Sequence, residues 1–309
     1  MLTYFNKLGF IYKLYIKGGI KLDYYCFPTE TGDTSVFFSL EQYTNSREKA
    51  FYSRTQKDIN LALQKDKLLL FNLKTKEFID SNGNHIDIKG KEIFPRCKIQ
   101  DADLLLNTIE KNGGNSIVTW QDSQTIIHWF EAIKTKRNIT CSTLKDVITN
   151  IDFYEKKYGK SFFLKTVMKQ FSGTCAIMPL VNSKYLVTMT GPLFRDINSI
   201  IPDDLTPVLV TNSLSIINDD YGKREWRIFV VKNEILCVSR LSNEPVTIES
   251  NILKKIKAKV KQISKISNFP SSYCVDFFEY EHNGEIIFDI CEFNPIESAG
   301  RYGNNDFIF

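Results

Sequence analysis

Before Asp101 the hydrophobic positions fall into short runs, with aromatic-rich strands expected near Phe10 to Ile16, a short apolar strand at Leu68 to Phe71, and a polar, helical stretch from Leu40 to about Gln64 between them. Phe78-Ile79-Asp80 and His85-Ile86-Asp87-Ile88 flank Ser81-Asn82-Gly83-Asn84, and Asn-Gly between alternating runs predicts a hairpin. From Asp101 helices and strands alternate. Asp101 or Asp103 can cap a helix carrying Leu104, Leu105 and Ile109 that stops at Gly113-Gly114, and Ile117 to Trp120 then reads as a strand. Asp122 can cap a second helix with Ile126, Phe130 and Ile133 on one face, and Ser142 a third that ends at Tyr158-Gly159. Beyond it the text is β-rich: Phe162 to Val167, Tyr185 to Thr190, Val208 to Val210, Trp226 to Val231 with Ile235 to Ser239, Tyr273 to Phe278, and Ile286 to Phe293. Gly284, in His282-Asn283-Gly284-Glu285, turns the last two strands into a hairpin.

One helix interrupts the strands. Leu253, Ile256, Val260 and Ile263 recur at helical spacing, and Lys254, Lys255, Lys257, Lys259, Lys261 and Lys265 fall in the same stretch, which contains no acid. Removing those six lysines takes the formal charge from +4 to −2, so the basic balance belongs to one solvated helix face. That disfavours nucleic acid as a partner.

The 309 residues, 43% hydrophobic and 25% charged, describe a globular chain of about two domains. No apolar run approaches the ~20 residues of a membrane span, and Lys7, Lys13 and Lys17 interrupt the apolar residues that would otherwise imitate a signal peptide. The expected address is cytoplasmic or nuclear, the cytoplasm first, with no membrane partner. Cys26, Cys97, Cys141, Cys175, Cys237, Cys274 and Cys291 show no zinc or redox spacing and read as reduced, buried small hydrophobes. His85, His128 and His282 are equally scattered, and GxSxG, GxGxxG and GxxxxGK[ST] are absent, which removes the main support for hydrolase-elbow, Rossmann and Walker chemistry.

Three segments carry candidate chemistry. In the final hairpin, strand alternation projects Glu292 and Asn294 from one face and sends Asp289, Cys291 and Phe293 to the other. Asp276 on the partner strand can add a third oxygen donor, a hard set suited to magnesium on nucleotide phosphates; the alternative is a strand end meeting water. Phe162 to Gly173 puts Lys165 inside an apolar strand and Lys169 in the loop after it, where the Ser172-Gly173 turn can fold over an anion; a solvent-facing edge lysine is the alternative. Lys223 to Leu236 alternates Glu225, Arg227 and Phe229 on one face, and arginine there can pair with an acid or grip a phosphate.

In this order the lysine strand, the Lys-x-Phe-x-Gly loop, the apolar hinge Val208-Leu209-Val210, the Glu-x-Arg strand and the terminal Asp…Glu-x-Asn hairpin resemble the ATP-grasp superfamily. Asn294-Pro295 followed by Ser298-Ala299-Gly300-Arg301-Tyr302 is similar to the phage-type clade named for its arginine and lysine residues. The Ile79-Asp80 hairpin running into Phe94-Pro95-Arg96 resembles the N-terminal domain of graspetide ligases. The resemblance implies an α+β ATP-grasp fold, two β-rich lobes gripping ATP over residues 126–309, preceded by an α/β pre-ATP-grasp domain over 1–125. It implies ATP and Mg2+ as cofactors, with Lys165 and Lys169 on the inner phosphates, Val208, Leu209 and Val210 at adenine, and Ser213 and Glu225 completing the nucleotide site. Asp276, Glu292 and Asn294 would hold the metal, Arg227 would face the γ-phosphate, and Arg240 and Arg301 would grip the substrate carboxylate. Thr211-Asn212-Ser213 stands where these families place an acid for the ribose. The implied reaction is ADP-forming ligation of a carboxylate to an amine, on a peptide or protein, through an acyl phosphate. A kinase on the same fold and a non-catalytic nucleotide-binding adaptor are the alternatives.

Overall fold

Residues Leu68 to Phe71 are apolar without a break, the pattern of a strand covered on both faces, and the computed structural model shows why. It describes residues 22–33, 55–56, 58–118, 135, 137–159, 161–166, 172–180, 183–188, 207–242, 246–300 and 306–308. Strands β1 (Tyr24–Thr29), β2 (Leu68–Asn72), β3 (Phe78–Ile79), β4 (Glu92–Pro95) and β5 (Asn115–Ser116) form one sheet in the order β3-β2-β1-β4-β5. The pairs β1/β2, β1/β4 and β4/β5 are parallel, and β2/β3 is antiparallel. Leu69 and Phe71 join Ala102, Leu105 and Ile109 of helix α1 (Ile99–Lys111) in one core. Leu68 and Leu70 join Ile59 and Ala62 of the helical stretch 58–64 in another.

A second, antiparallel sheet contains β6 (Ile139–Thr143), β7 (Ser161–Thr166), β8 (Ser172–Leu180), β9 (Ser183–Thr188) and β10 (Pro207–Asn212), in the order β6-β10-β7-β8-β9. Helices α2 (Leu144–Thr149) and α3 (Ile151–Tyr158) cover it, with Val147, Tyr154 and Tyr158 packed on Phe162, Leu164, Val208 and Val210. After a two-stranded ribbon, β11 (Asn218–Asp219) and β12 (Gly222–Lys223), the third sheet is antiparallel: β13 (Glu225–Val231), β14 (Glu234–Arg240), β15 (Tyr273–His282), β16 (Glu285–Asn294) and β17 (Asp306–Ile308), ordered β16-β15-β13-β14-β17. Helix α4 (Ser250–Ile263) lays Ile252, Ile256, Val260 and Ile263 against Trp226, Ile228, Val230, Val275 and Phe277. The chain is therefore α+β.

Several elements differ from the sequence expectations. Helix α1 starts at Ile99, with Lys98 before it and no side-chain cap, so neither Asp101 nor Asp103 caps it. Its end is as expected, with Gly113 at φ 72°. The third expected helix is two helices broken at Asn150, and Thr143, not Ser142, is the cap: its Oγ1 accepts from the Asp146 N–H at 3.1 Å. Ser142 donates instead to the Asp146 carboxylate. Ser172 and Gly173 form no turn, because they open β8, pairing with Lys165 and Leu164. Of the strand expected at 117–120, Ile117 and Val118 are already past β5, and residues 119–120 with the expected elements at 10–16 and 122–133 lie outside the described residues. The last hairpin is as read, with Asn283 at φ 52° and Gly284 at φ 79°, the left-handed pair a two-residue hairpin loop requires.

The cap of α2 makes a pH prediction. Hydrogen bonds from Ser142, Tyr154 and Asn150 hold the Asp146 carboxyl below its ordinary value of 3.8, so the charged form stabilises the fold above that value and the advantage is lost as pH falls through the lower folded value. The stability difference between the wild type and Asp146→Ala, read by urea unfolding, should narrow between neutral pH and pH values below 3.8.

Candidate functional site

Strand alternation divides β13 between two environments. Trp226, Ile228 and Val230 face the α4 core, which leaves Glu225, Arg227 and Phe229 for the opposite face. In register, Arg227 lies opposite Asp276 of β15, and Asp276 opposite Glu292 of β16, so three charged residues line up across neighbouring strands. Arg227 Nε donates to Asp276 Oδ1 at 2.8 Å and Nη2 to Oδ2 at 2.7 Å, a fork-to-fork pair in which the arginine is 5% exposed and the aspartate 0%. Glu292 Oε1 is 3.8 Å from Arg227 Nη2. The Asn294 side-chain N–H group donates to Asp276 Oδ2 and to Glu292 Oε1, both at 3.0 Å.

A β-bulge shapes this edge. Asp276 pairs with Glu292 but Phe277 pairs with Ile290, so Cys291 is an extra residue in β16. The expected alternation therefore breaks: Asp289 pairs with Phe278, two positions along β15 from Asp276, so it is on the face of Asp276 and Glu292 and not, as expected, on the other. Arg137, before β6, donates through Nη2 to the carbonyls of Ile290 and Cys291 and lies 5.2 Å over the Phe278 ring.

The donor set fits a hard divalent cation. Asp276 and Glu292 supply carboxylate oxygens and, against one guanidinium, a net negative charge, while Asn294 turns its NH2 group toward both acids, so its amide oxygen joins the set only with the side-chain amide rotated. Among the described residues no trio of His, Cys, Asp or Glu is placed for a metal, so any such site depends on the asparagine. Asp276 is committed to Arg227 through both oxygens and would have to share them with an ion.

Other candidate residues lie around this cluster. Lys165 of β7 is the register partner of Leu209 in β10, and Val208 and Val210 turn into the α3 core while Leu209 joins the α4 core. Glu225 is buried and pairs with Phe278, whereas Ser213 is exposed past the end of β10. Arg240 is on the other face from Arg227: it pairs with Trp226 in register, stacks at 5.9 Å over that ring and ion-pairs with Asp219. That face holds its own charged network, in which Arg224 reaches Glu279 at 2.7 Å and Glu249 at 3.0 Å and Lys255 reaches Glu279 at 2.9 Å. Burial works against the Arg224 charge, but these acids outweigh it and raise its pKa. Lys169 and Arg301 lie outside the described residues.

Sequence reasoning missed two arginines that brace the site, Arg137 and Arg96. Arg96, 0% exposed just after β4, donates Nε to Asp58 Oδ2 at 3.0 Å, Nη1 to the carbonyls of Ile296 and Glu297, and Nη2 to that of Ala299. The same segment returns to the site, because Gly300 O accepts from Arg227 Nη1 at 2.9 Å. An arginine inside a short apolar run, Ile93-Phe94-Pro95-Arg96-Cys97, was the available signal.

No protein-family model and no curated protein matches the chain. Among solved structures it is similar to the VanG D-Ala:D-Ser ligase of Enterococcus faecalis, 14% identical over 91% of this chain and 93% of that one, with a TM-score of 0.47. It is also similar to a RimK-domain ATP-grasp protein of Sphaerobacter thermophilus (11%, 88% and 91%, TM-score 0.44) and to the macrocyclase MdnB of Microcystis aeruginosa (11%, 89% and 92%, TM-score 0.43). Likenesses this distant decide nothing about activity, which rests on the chain's own side chains.

The buried pair yields a stability prediction. Asp276→Ala should cost about 3–5 kcal/mol in urea unfolding, because it leaves Arg227 buried without its acid. The double variant Asp276→Leu with Arg227→Met should recover much of that loss; a double variant no more stable than the single one would contradict the electrostatic account.

Proposed function

We propose that the chain is a magnesium- and ATP-dependent ligase of the ATP-grasp superfamily, joining a carboxylate to an amine on a peptide or protein substrate. The observation that carries this reading is the line of Arg227, Asp276 and Glu292 across β13, β15 and β16, bridged by Asn294: a buried cation beside two carboxylates that outweigh its charge. The pairing of Lys165 with the apolar strand β10 supports a nucleotide beside Val208, Leu209 and Val210. In this reading residues 126–309 hold ATP, residues 1–125 form the preceding domain, and the nearest clades are the phage-type and graspetide ligases.

Each residue then has a task. Glu292 and Asn294 hold magnesium, with Asp276 sharing its oxygens between ion and guanidinium. Bound there, the metal supplies charge that offsets the γ-phosphate. Arg227, already fixed by Asp276 and Gly300, points a rigid fork at the transferring phosphoryl group. Lys165 and Lys169 neutralise the inner phosphates, and Ser213 and Glu225 flank the nucleotide. Arg301 grips the substrate carboxylate; Arg240, turned to the other sheet face, braces Asp219. The carboxylate attacks the γ-phosphorus, ADP leaves, and an amine displaces phosphate from the acyl phosphate.

Incubating the full chain with ATP, magnesium and candidate peptides should give ADP and orthophosphate, and hydroxylamine should intercept the acyl phosphate as a hydroxamate. Formation of AMP and pyrophosphate would overturn the reading, and stable phosphate on an alcohol would establish a kinase instead. Glu292→Gln should lower turnover at least about tenfold with little change in melting temperature, since the side chain is 23% exposed and the swap is isosteric. Lys165→Ala should weaken ATP binding, whereas Lys169→Ala, at a position the sequence reads as a closing loop, should mainly slow turnover. Equal losses from both through unfolding would favour the edge-lysine alternative.

A further inference from the structure

The N-terminal sheet and the site-bearing sheet share one core. Phe27, Phe94, Ile59 and Ala62 from the first meet Phe229, Cys237, Cys274, Ile296 and Ala299 around the second. Arg96 is a buried charged group inside that seam. Its guanidinium lies 5.4 Å from the Phe94 ring and 5.4 Å from the Phe229 ring, and Phe229 is two residues along β13 from Arg227. Its nitrogens pair with Asp58, 1% exposed, and take the carbonyls of Ile296, Glu297 and Ala299. Cys97 N–H adds a bond to Glu297 O at 2.9 Å. The turn so gripped begins at Pro295, next to Asn294, and ends at Gly300, whose carbonyl holds Arg227.

We propose that Arg96 is a positioning residue for the metal–phosphate site: it fixes the 296–300 turn from the first sheet, and the turn fixes Arg227 at one end and Asn294 at the other. A planar fork suits this task, because it satisfies one carboxylate and several carbonyls at once without reorganising. The inference rests on the reading of Arg227, Glu292 and Asn294 as the magnesium–nucleotide site. A loosened turn leaves the Glu292 carboxylate on β16 but lets Asn294 and Arg227 drift relative to one another.

Arg96→Lys keeps the charge for Asp58 and removes the fork. The readout is the ratio of ATP affinities of the full chain with and without magnesium, by calorimetry, with the melting temperature measured in parallel. In the wild type magnesium should tighten ATP binding. In Arg96→Lys that tightening should fall about tenfold, the usual size of losing an outer partner of a metal site, while ATP binding without magnesium stays within a few-fold. A folded Arg96→Lys protein with an unchanged ratio would overturn the positioning role and leave the ligase reading standing; a wild type whose ATP binding ignores magnesium would overturn both. Should Arg96→Lys fail to fold, Asp58→Asn decides: a smaller loss of the same ratio supports the inference, and an unaltered ratio refutes it.

Discussion

A guanidinium 5% exposed in the middle of a sheet is tolerable only if its charge and its donors are met, and Arg227 imposes that demand on everything around it. Asp276 meets it from β15 by register, and Gly300 meets it from the turn after β16. Asn294 then has a place because Asp276 and Glu292, two acids brought side by side, need a donor between them. The core on the far side of the sheet, with Trp226, Ile228 and Val230 against α4, keeps β13 rigid, so the polar face inherits its geometry from the apolar one.

The first sheet enters this arrangement from outside. Its strands, parallel except for β3, are covered on both faces, α1 on one side and the 58–64 helix on the other, and the second of these cores runs on into the third sheet. Lys232, in the turn between β13 and β14, also reaches Glu92 of β4. The polar cluster is thus buttressed by residues more than a hundred positions away in the chain, and the first and third sheets act on it together.

Much of this was legible in the sequence. The alternation of Glu225, Arg227 and Phe229, the Asn-Gly hairpin and the stripe of α4 are local patterns, and local patterns survive folding. The stripe still shifted slightly: Ile252 takes a core place and Leu253 a partial one. What escaped was set by long-range pairing. Strand β6 has no clear period, because Ile139 to Thr143 are all half-buried, and β8 begins at Ser172-Gly173, residues whose intrinsic preference is a turn and whose partners in β7 override it. The bulge at Cys291 leaves no trace in Phe288 to Asn294, since either pleating reads as alternation. Arg240 shows the cost of one residue of parity: it shares a type with Arg227 and lies on the opposite face.

Strand β16 carries Glu292 and Asn294 and is the outermost strand of its sheet. An edge normally offers a row of backbone groups to any extended chain that drifts alongside, the usual start of edge-to-edge aggregation. Here the bulge bends that row beside the acids, and Arg137 occupies the carbonyls of Ile290 and Cys291. An incoming strand would find those acceptors taken and the ladder out of step, so the same irregularity that sets the polar cluster also makes this margin of the molecule a poor template for its own kind.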